Sequence, residues 1–268
     1  MLEWIYRGLS RGRVTTRYPR GPEHAPHGFQ ARVEVVHPEG GGPQLAALCP
    51  TGAIAVAVDG HVTLDRGLCI VCGDCVRAAP DHFAFGSGYE TAARARAALI
   101  VGQAAGLDAS ASPLRPALAE RAGGLRRSIH VRHIDCGSDG SEEWEIQALW
   151  NPYYDIQRLG FFLTSAPRHA DVLLVTGPVT TPMRAPLERT WAVMPEPKAL
   201  VAVGTDACGG GLRADDRTAV AAARPTAGGV DQVLPVDVYV PGSPPSPTTI
   251  MHGLLLAAGL LRPQEAAS

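Results

Sequence analysis

Four of the six cysteines are spaced in a way that suits metal chemistry. Cys69, Cys72 and Cys75 follow one another as C-x2-C-x2-C, and Cys49 stands upstream in a Cys-Pro dipeptide. Thiolates are soft ligands that suit iron–sulfur clusters and Zn²⁺. Because cysteines in a reducing compartment serve as metal ligands or free thiols rather than as disulfides, we predict that these four bind metal.

The Cys-Pro dipeptide indicates which metal group the four cysteines suit. In bacterial ferredoxins with two clusters, each run reads C-x2-C-x2-C-x3-C-P, and its last cysteine ligates the other cluster. Here Cys49-Pro50 has the form of the end of a first run whose leading cysteines are absent, and Ala79-Pro80 ends the second run without its cysteine. One cluster has lost all of its ligands, whereas the other keeps four. We therefore predict one 4Fe–4S cluster, with tetrahedral Zn²⁺ and a metal-free relic as the alternatives.

The C-terminal half has a different organisation from the cysteine-rich unit, which extends from about 45 to 89. Short apolar segments alternate there with helical stretches, a pattern that indicates βαβ units and a parallel sheet. We predict strands at 129–134, 159–164, 171–176, 199–204 and 235–240, and helices at 142–150, 184–194 and 246–261.

The first twelve residues are predicted to form a short amphipathic helix. Leu2, Ile5, Tyr6 and Leu9 fall on one face of it. This face is expected to pack on its own domain or on a neighbouring subunit, and an interfacial position near anionic lipid is the alternative.

The remaining segments are interpreted from composition. Residues 19–44 are rich in Pro, Gly and His and are predicted to form an extended loop, whereas 90–125 begins as a helix and continues as a linker from 106 to 124. Two apolar stretches, Trp191–Met194 and Ile250–Leu261, are expected to offer surface to partner subunits.

Composition and charge exclude several classes of function. Hydrophobic residues make up 46% and charged residues 19%, which excludes disorder for most of the chain. The net charge of −2 provides no basic field for nucleic acid. The sequence contains no run of about 18 apolar residues, which is the length needed to span a membrane. The N-terminus lacks the pattern of a secretory signal, so we expect the protein in the cytoplasm.

The N-terminal part, roughly residues 1–90, resembles the ferredoxin-like subunit of formate hydrogenlyase and related membrane-bound hydrogenases, and the equivalent subunit of respiratory complex I. The resemblance is carried by Met1-Leu-Glu-Trp-Ile, Val14-Thr-Thr-Arg-Tyr-Pro, Gly28-Phe29 and the cysteine motif. It implies a ferredoxin-like α+β module over 1–95, followed by a linker over 96–127.

Residues 129–261 resemble the small subunit of group 4 NiFe hydrogenases, the counterpart of the complex I subunit that carries the terminal cluster. The matching segments are Asp135-Cys-Gly-Ser, Glu143-Trp-Glu-Ile, Asn151-Pro-Tyr-Tyr-Asp155, Arg158-Leu-Gly-Phe, Ser165 to Thr180, Gly204-Thr-Asp-Ala and Pro235 to Pro245. The resemblance implies a flavodoxin-like parallel-sheet domain over 128–268, and hence an α/β chain with two modules.

This half departs from the family at the proximal 4Fe–4S cluster, which the family binds with four cysteines. Motif by motif, those positions are occupied here by Asp139, Glu142, Asp206 and Ser243, while Cys136 and Cys208 lie beside ligand positions. Loops after parallel strands gather at the carboxyl edge of a sheet, so the four side chains are expected to converge there. A polar relic neutralised by Arg168 and His169, a hard-cation site and a proton-handling cluster are the alternatives.

The two resemblances together imply a natural fusion of neighbouring subunits. The implied protein is a peripheral-arm subunit on the cytoplasmic face of the plasma membrane, with one cluster, no proximal cluster and no active site of its own. It docks a hydrogenase-like or complex I-like large subunit to integral membrane subunits. Electron transfer by a non-standard route is the first alternative, and a free-standing redox enzyme is the second.

Overall fold

A computed structural model describes residues 3–103, 128–213 and 226–261 of the chain. The N-terminal part contains two small antiparallel sheets, in which β1 pairs with β4 and β3 lies between β2 and β5. Its elements are α1 (Glu3–Arg11), β1 (Arg32–Val35), β2 (Ile54–Val56), β3 (Val62–Asp65), α2 (Asp74–Ala78), β4 (Phe83–Gly86) and β5 (Ile100–Val101). A core that includes Val33, Leu64 and Phe83 joins the two sheets and extends to Cys69 and Cys75.

The C-terminal part is built on a five-stranded parallel sheet in the order β10-β9-β8-β6-β7. The strands are β6 (Ile129–Asp135), β7 (Phe161–Leu163), β8 (Val172–Thr176), β9 (Ala199–Val203) and β10 (Val238–Val240). Every residue of the two central strands β8 and β9 is buried, as is typical of parallel strands covered on both faces. The predicted α/β class and all five predicted strands are confirmed.

In the described residues of the C-terminal part, four α-helices accompany this sheet: α3 (Ser141–Ala148), α4 (Thr181–Val193), α5 (Thr205–Gly209) and α6 (Pro247–Ala257). The helices predicted at 142–150, 184–194 and 246–261 correspond to α3, α4 and α6. All residues of α6 are buried. The expectation that Ile250–Leu261 faces a partner is therefore wrong for the helix, because α6 packs on β9 and β10 and the segment around Arg94 covers its end.

Two segments of the N-terminal half differ from their predictions. The stretch 19–44 is not loop throughout, because it contains β1 and the start of a 3-10 helix at Pro43–Leu48. The stretch from residue 90 forms no α-helix among its described residues. It pairs Ala93 with Tyr239, forms a 3-10 helix at Arg96–Leu99 and ends in β5. The linker predicted at 106–124 lies outside the described residues, and the domain boundaries stay a prediction.

The helix α1 forms where it was predicted, but its apolar face does not pack on its own chain. Ile5, Tyr6 and Leu9 are all exposed, and Tyr6 and Leu9 are 74% and 80% exposed. The first expectation for this face, packing on its own domain, is therefore wrong. The positions on a neighbouring subunit or on lipid stay predictions. Within the described residues, the model has no helix that is both long and apolar enough to cross a membrane.

Candidate functional site

The structure brings the four predicted cysteine ligands together at one end of the N-terminal half. Cys69 and Cys72 follow β3, and Cys75 lies in the first turn of α2; we call the segment from Arg66 to Cys75 the cysteine loop. Cys49 follows the 3-10 helix at Pro43–Leu48. Cys69 and Cys75 are buried, Cys49 is half-buried and Cys72 is exposed. Burial, with smaller contributions from the charges of Cys49, Cys75 and Cys72, raises the pKa of the Cys69 thiol to about 12. Cys49, Cys69 and Cys75 belong to the same hydrophobic cluster.

The loop turns sharply between these cysteines. Val71 and Gly73 have φ angles of +54° and +76°. A β-branched residue rarely adopts the left-handed region, and such outliers cost on the order of 1–3 kcal/mol and cluster at functional sites. The turn lets the Val71 N–H donate to Cys69 Sγ at 3.4 Å, and the Ala53 N–H donates to Cys49 Sγ at 3.2 Å. Hydrogen bonds of this kind favour the thiolate form that a metal requires.

The donor set fits a four-thiolate cluster. Buried thiols with raised pKa values ionise only when a cation compensates the charge, and the iron of a cluster supplies that compensation. In the described part of the chain, no three Cys, His, Asp or Glu side chains converge tightly enough to hold a single metal ion. The fit therefore rests on the chemistry of the donor set, four thiols of which two are buried.

Three segments of the C-terminal half meet at the carboxyl edge of the sheet. They carry Asp139 with Glu142, Asp206, and Ser243, the four positions expected to converge there. Glu142, only 4% exposed, lies in the first turn of α3 after β6. It lies so close to Gly204 that a Cβ there would meet Glu142 Cγ at 2.7 Å. The Thr205 N–H donates to the Gly242 carbonyl at 2.7 Å, which ties the loop of Asp206 to that of Ser243.

The four side chains at this edge have different neighbours. Asp139 accepts from Ser141 Oγ at 2.6 Å, and its charge adds to the burial that raises the pKa of Glu142. Asp206 lies against Gly211, and Ser243 lines a cavity with Tyr154. The described residues therefore give the hard-cation alternative no support.

Arg168 and His169 are not the partners of these carboxylates. They belong to the 3-10 helix Pro167–His169, which precedes β8 and so lies at its amino end. The carboxylates follow the opposite, carboxyl ends of β6 and β9. The prediction of their pairing is wrong. It considered the motif that contains Arg168 and His169, but not that these residues precede a strand whereas the carboxylates follow strands.

Glu142 instead belongs to a hydrogen-bonded network that the sequence analysis missed. Ser138 Oγ lies 2.7 Å from Glu142 Oε2 and 2.8 Å from Glu143 Oε2. Glu143 in turn accepts from Thr176 and lies 3.3 Å from His133 Nε2. Burial lowers the pKa of His133 despite these carboxylates. The available signal was His133 on a strand whose apolar residues Ile129, Val131 and Ile134 are buried.

The cysteine loop lies directly on this edge of the sheet. The Thr205 hydroxyl donates to the Cys69 carbonyl at 2.9 Å, and Gly209 lies against the Gly67 carbonyl, which a Cβ at Gly209 would meet at 2.7 Å. Arg96 contacts both Asp65 oxygens at 2.6 and 2.7 Å and donates to the Cys208 carbonyl at 3.1 Å. The loop with the grouped thiols is thus bonded to the loop that carries Asp206.

The two remaining cysteines take no part in either site. Cys136 and Cys208 are both fully buried in the core around the sheet. Burial raises the pKa of each thiol to about 12. They are core residues that lie beside the predicted positions, as the sequence indicated.

This geometry defines a parallel α/β domain with polar side chains at the carboxyl edge of its sheet. Comparison with known proteins shows the family to which the domain belongs. Residues 139–257 match the family described as NADH ubiquinone oxidoreductase, 20 Kd subunit. The chain belongs to this family.

Two curated relatives and one solved structure show which members it is similar to. It is 37% identical over 155 residues to formate hydrogenlyase subunit 7 of Escherichia coli, covering 58% of this chain and 57% of the relative. It is 39% identical over 133 residues to the probable membrane-bound hydrogenase subunit mbhJ of Pyrococcus furiosus, covering 50% of this chain and 75% of the relative.

The solved structure is an archaeal respiratory membrane complex, the membrane-bound sulfane sulfur reductase. One of its chains has a TM-score of 0.45 and 26% identity, over 55% of this chain and 78% of that one. At this TM-score the likeness does not establish a common fold. The chain thus spans little more than half of formate hydrogenlyase subunit 7 and three quarters of the Pyrococcus subunit.

Proposed function

We propose that this chain is a peripheral-arm subunit of a hydrogenase-related, complex I-like membrane assembly. The observation that carries the proposal is the bonding of the loop with Cys69, Cys72 and Cys75 to the carboxyl edge of this family's sheet domain within a single chain. This geometry supports a natural fusion of a ferredoxin-like module with a small-subunit module. The names of the relatives, which are subunits of formate hydrogenlyase and of a membrane-bound hydrogenase, support the same class of assembly.

In this proposal Cys49, Cys69, Cys72 and Cys75 hold one 4Fe–4S cluster. When bound, the cluster supplies one-electron transfer. The chain's own contribution is to bury Cys69 and Cys75, to leave Cys72 exposed at the surface, and to direct backbone N–H groups at the sulfur atoms.

The proposal has no second cluster at the edge of the sheet. Asp139, Glu142, Asp206 and Ser243 offer oxygen atoms alone, whereas iron–sulfur clusters are held by cysteine with histidine as an occasional substitute. The side chains of Cys136 and Cys208 pack in the hydrophobic core around the sheet. The family's usual step from this domain to a large subunit is then absent, and the chain has no active site of its own. Its work is to dock the large subunit to the membrane subunits at the cytoplasmic face.

Electron transfer is the second candidate function, and one contact favours it. The hydrogen bond from Thr205 to the Cys69 carbonyl joins the cysteine loop to the carboxyl edge of the sheet. In the family, electrons pass through this edge. The sequence of the large subunit separates the two functions. If that subunit keeps both C-x2-C pairs that hold NiFe, electron transfer is favoured; if they are absent, docking is favoured.

Affinity purification of the chain from solubilised membranes tests the proposal. The chain, tagged and expressed with the genes adjacent to its own, is expected to copurify in stoichiometric amounts with a large subunit and an integral membrane subunit, both identified by peptide mass spectrometry. Expressed alone, it is expected to give lower soluble yield, because Ile5, Tyr6 and Leu9 are exposed. A monodisperse, fully stable monomer that binds none of these subunits would contradict the proposal.

A further inference from the structure

A cavity of about 500 Å³ opens between the two halves of the chain. One wall comes from the cysteine loop, at Ile70 and Val71, and the other from α3 and the loop before α6. This volume is in the range of small-ligand sites, which occur preferentially where domains meet. The remaining lining residues that matter chemically are Phe29, Tyr89, Glu145, Tyr154, Ser243 and a group of prolines.

The walls of this cavity are rich in aromatic surface. Phe29 and Tyr89 form a ring pair with centroids 5.2 Å apart, and Tyr154 contributes a third ring. The negative faces of such rings attract cations, and a planar guanidinium also stacks on them.

Polar groups and prolines share the walls of the cavity. Five prolines line it, Pro26, Pro241, Pro244, Pro245 and Pro247, and proline has no backbone N–H. The Thr249 N–H at the start of α6 already donates to Ser246 Oγ at 3.3 Å, so the helix end does not present that donor to the cavity. The side chains of Gln30, Ser243 and Ser246 can accept hydrogen bonds from a ligand as well as donate them.

Glu145 is the only charged residue among the described residues that line the cavity. Its side chain is half-buried, and within the ranges 3–103, 128–213 and 226–261 it forms neither a hydrogen bond nor an ion pair. Desolvation raises its pKa, with no cationic neighbour to offset the effect. A carboxylate removed from water without a partner is unfavourable, and a bound cation relieves that cost.

We propose that this cavity binds a guanidinium group, whose N–H donors pair with the Glu145 carboxylate while its flat faces lie against the rings of Tyr89 and Tyr154. Carboxylate and guanidinium form paired, charge-assisted hydrogen bonds, which a compact ammonium does not match. The group belongs either to an arginine side chain of a partner subunit or to a small guanidinium compound. The inference does not rest on the proposed function, since it uses neither the cluster nor the membrane.

Calorimetric titration of the purified full-length chain with two probes tests the inference. N-acetyl-arginine methylamide mimics an arginine within a protein, and ethylguanidinium represents a small compound. Saturable binding of either supports the site; tighter binding of the first indicates a partner's arginine, and tighter binding of the second indicates a small molecule. N-acetyl-citrulline methylamide, the neutral counterpart, is expected not to bind.

Matched variants locate the binding. Glu145→Gln keeps the shape and is expected to weaken binding by at least about tenfold, the loss of a charge-assisted bond. Glu188→Gln, in an exposed pair with Arg184 on α4, is expected to leave it unchanged. Circular dichroism verifies the fold of both, and Tyr89→Leu gives a second, independent loss. Equal binding to Glu145→Gln, equal binding of the citrulline probe, or no saturable binding to the wild-type chain would overturn the inference.

Discussion

The hydroxyl of Thr205 donates a 2.9 Å hydrogen bond to the carbonyl oxygen of Cys69, and so joins the sheet domain to the loop that carries three of the grouped thiols. Thr205 is fully buried, and its hydroxyl also lies 3.1 Å from the Gly242 carbonyl. One side chain thus connects three loops: the cysteine loop and the two that carry Asp206 and Ser243.

Replacing this hydroxyl is expected to loosen the contact between the halves. Thr205→Val keeps the shape but removes the hydroxyl that the Cys69 carbonyl and the Gly242 N–H contact, so it should lower the free energy of unfolding by about 1–3 kcal/mol. Thr205→Ser keeps the hydroxyl and should lower the free energy of unfolding by less than Thr205→Val does. Denaturant unfolding measures both, and hydrogen exchange at the N–H groups of 69–73 should rise in the valine variant. Identical protection in the two variants would contradict the role of the bond.

Arg96 is a second connection between the halves and is expected to contribute more. Its guanidinium contacts both oxygens of Asp65 and the Cys208 carbonyl, with only 26% of the side chain exposed. Arg96→Ala should therefore cost about 2–3 kcal/mol, since it leaves a partly buried carboxylate unpaired. The exposed pair of Arg184 and Glu188 is the control, and Arg184→Ala should cost less than about 1 kcal/mol.

Glu142 is expected to tolerate loss of its charge better than loss of its side chain. Burial raises its pKa, so the ionised form opposes folding and stability falls as pH rises through the raised pKa. Glu142→Gln should keep the stability within about 1 kcal/mol and reduce this pH dependence, whereas Glu142→Ala should cost about 1–3 kcal/mol because it removes a buried side chain and one of the two acceptors near Ser138. Denaturant unfolding at several pH values, from about 4.3, the ordinary pKa of Glu, upward to pH 8, checks the prediction. A glutamine variant as unstable as the alanine variant would contradict it.

His252 on α6 is expected to make the fold sensitive to acid. Burial lowers its pKa to about 4, and its Nδ1 accepts from the Ala92 N–H at 3.3 Å, so the neutral ring is the native form. The unfolded chain takes up this proton near pH 6.5, so stability should fall as pH decreases from about 6.5 to 4 and level off below.

The loss over that window is about 2–3 kcal/mol for one histidine. His252→Gln should remove most of the slope, as measured by thermal unfolding at several pH values. Half-buried His82, whose Nδ1 lies 2.8 Å from the His37 carbonyl, is the control, and the slope should change more in His252→Gln than in His82→Gln. The raised pKa of Glu142 acts in the opposite direction, which is why each variant is compared with wild type at the same pH.

The five strands of the C-terminal sheet could be predicted because buried parallel strands are continuous apolar runs. Val172–Thr176 and Ala199–Val203 have this form, with helical segments between them. The strand β1 was missed because Arg32–Val35 is short, half polar and surrounded by Pro and Gly. The Ala-rich stretch after residue 90 favours a helix by propensity, but its pairing with Tyr239 overrides that preference.

The candidate site, like the fold, could be predicted from the sequence only in part. Cysteine spacing was enough to group the four thiols, and strand order was enough to bring the loops of Glu142, Asp206 and Ser243 to one edge. The direction of each side chain was not predictable, because it depends on local turns such as the close approach of Asp206 to Gly211. The cavity around Glu145 was missed for a related reason: its walls come from both halves of the chain.

The central claim is that the chain holds one cluster on Cys49, Cys69, Cys72 and Cys75, and none at the edge of the sheet. Iron and acid-labile sulfide analysis of the anaerobically purified protein, with EPR of the reduced form, tests it most directly. We expect about four iron and four sulfide per chain, lost in Cys69→Ser and retained in Cys208→Ser. Eight iron per chain, zinc alone, or a full iron content in Cys69→Ser would contradict the claim.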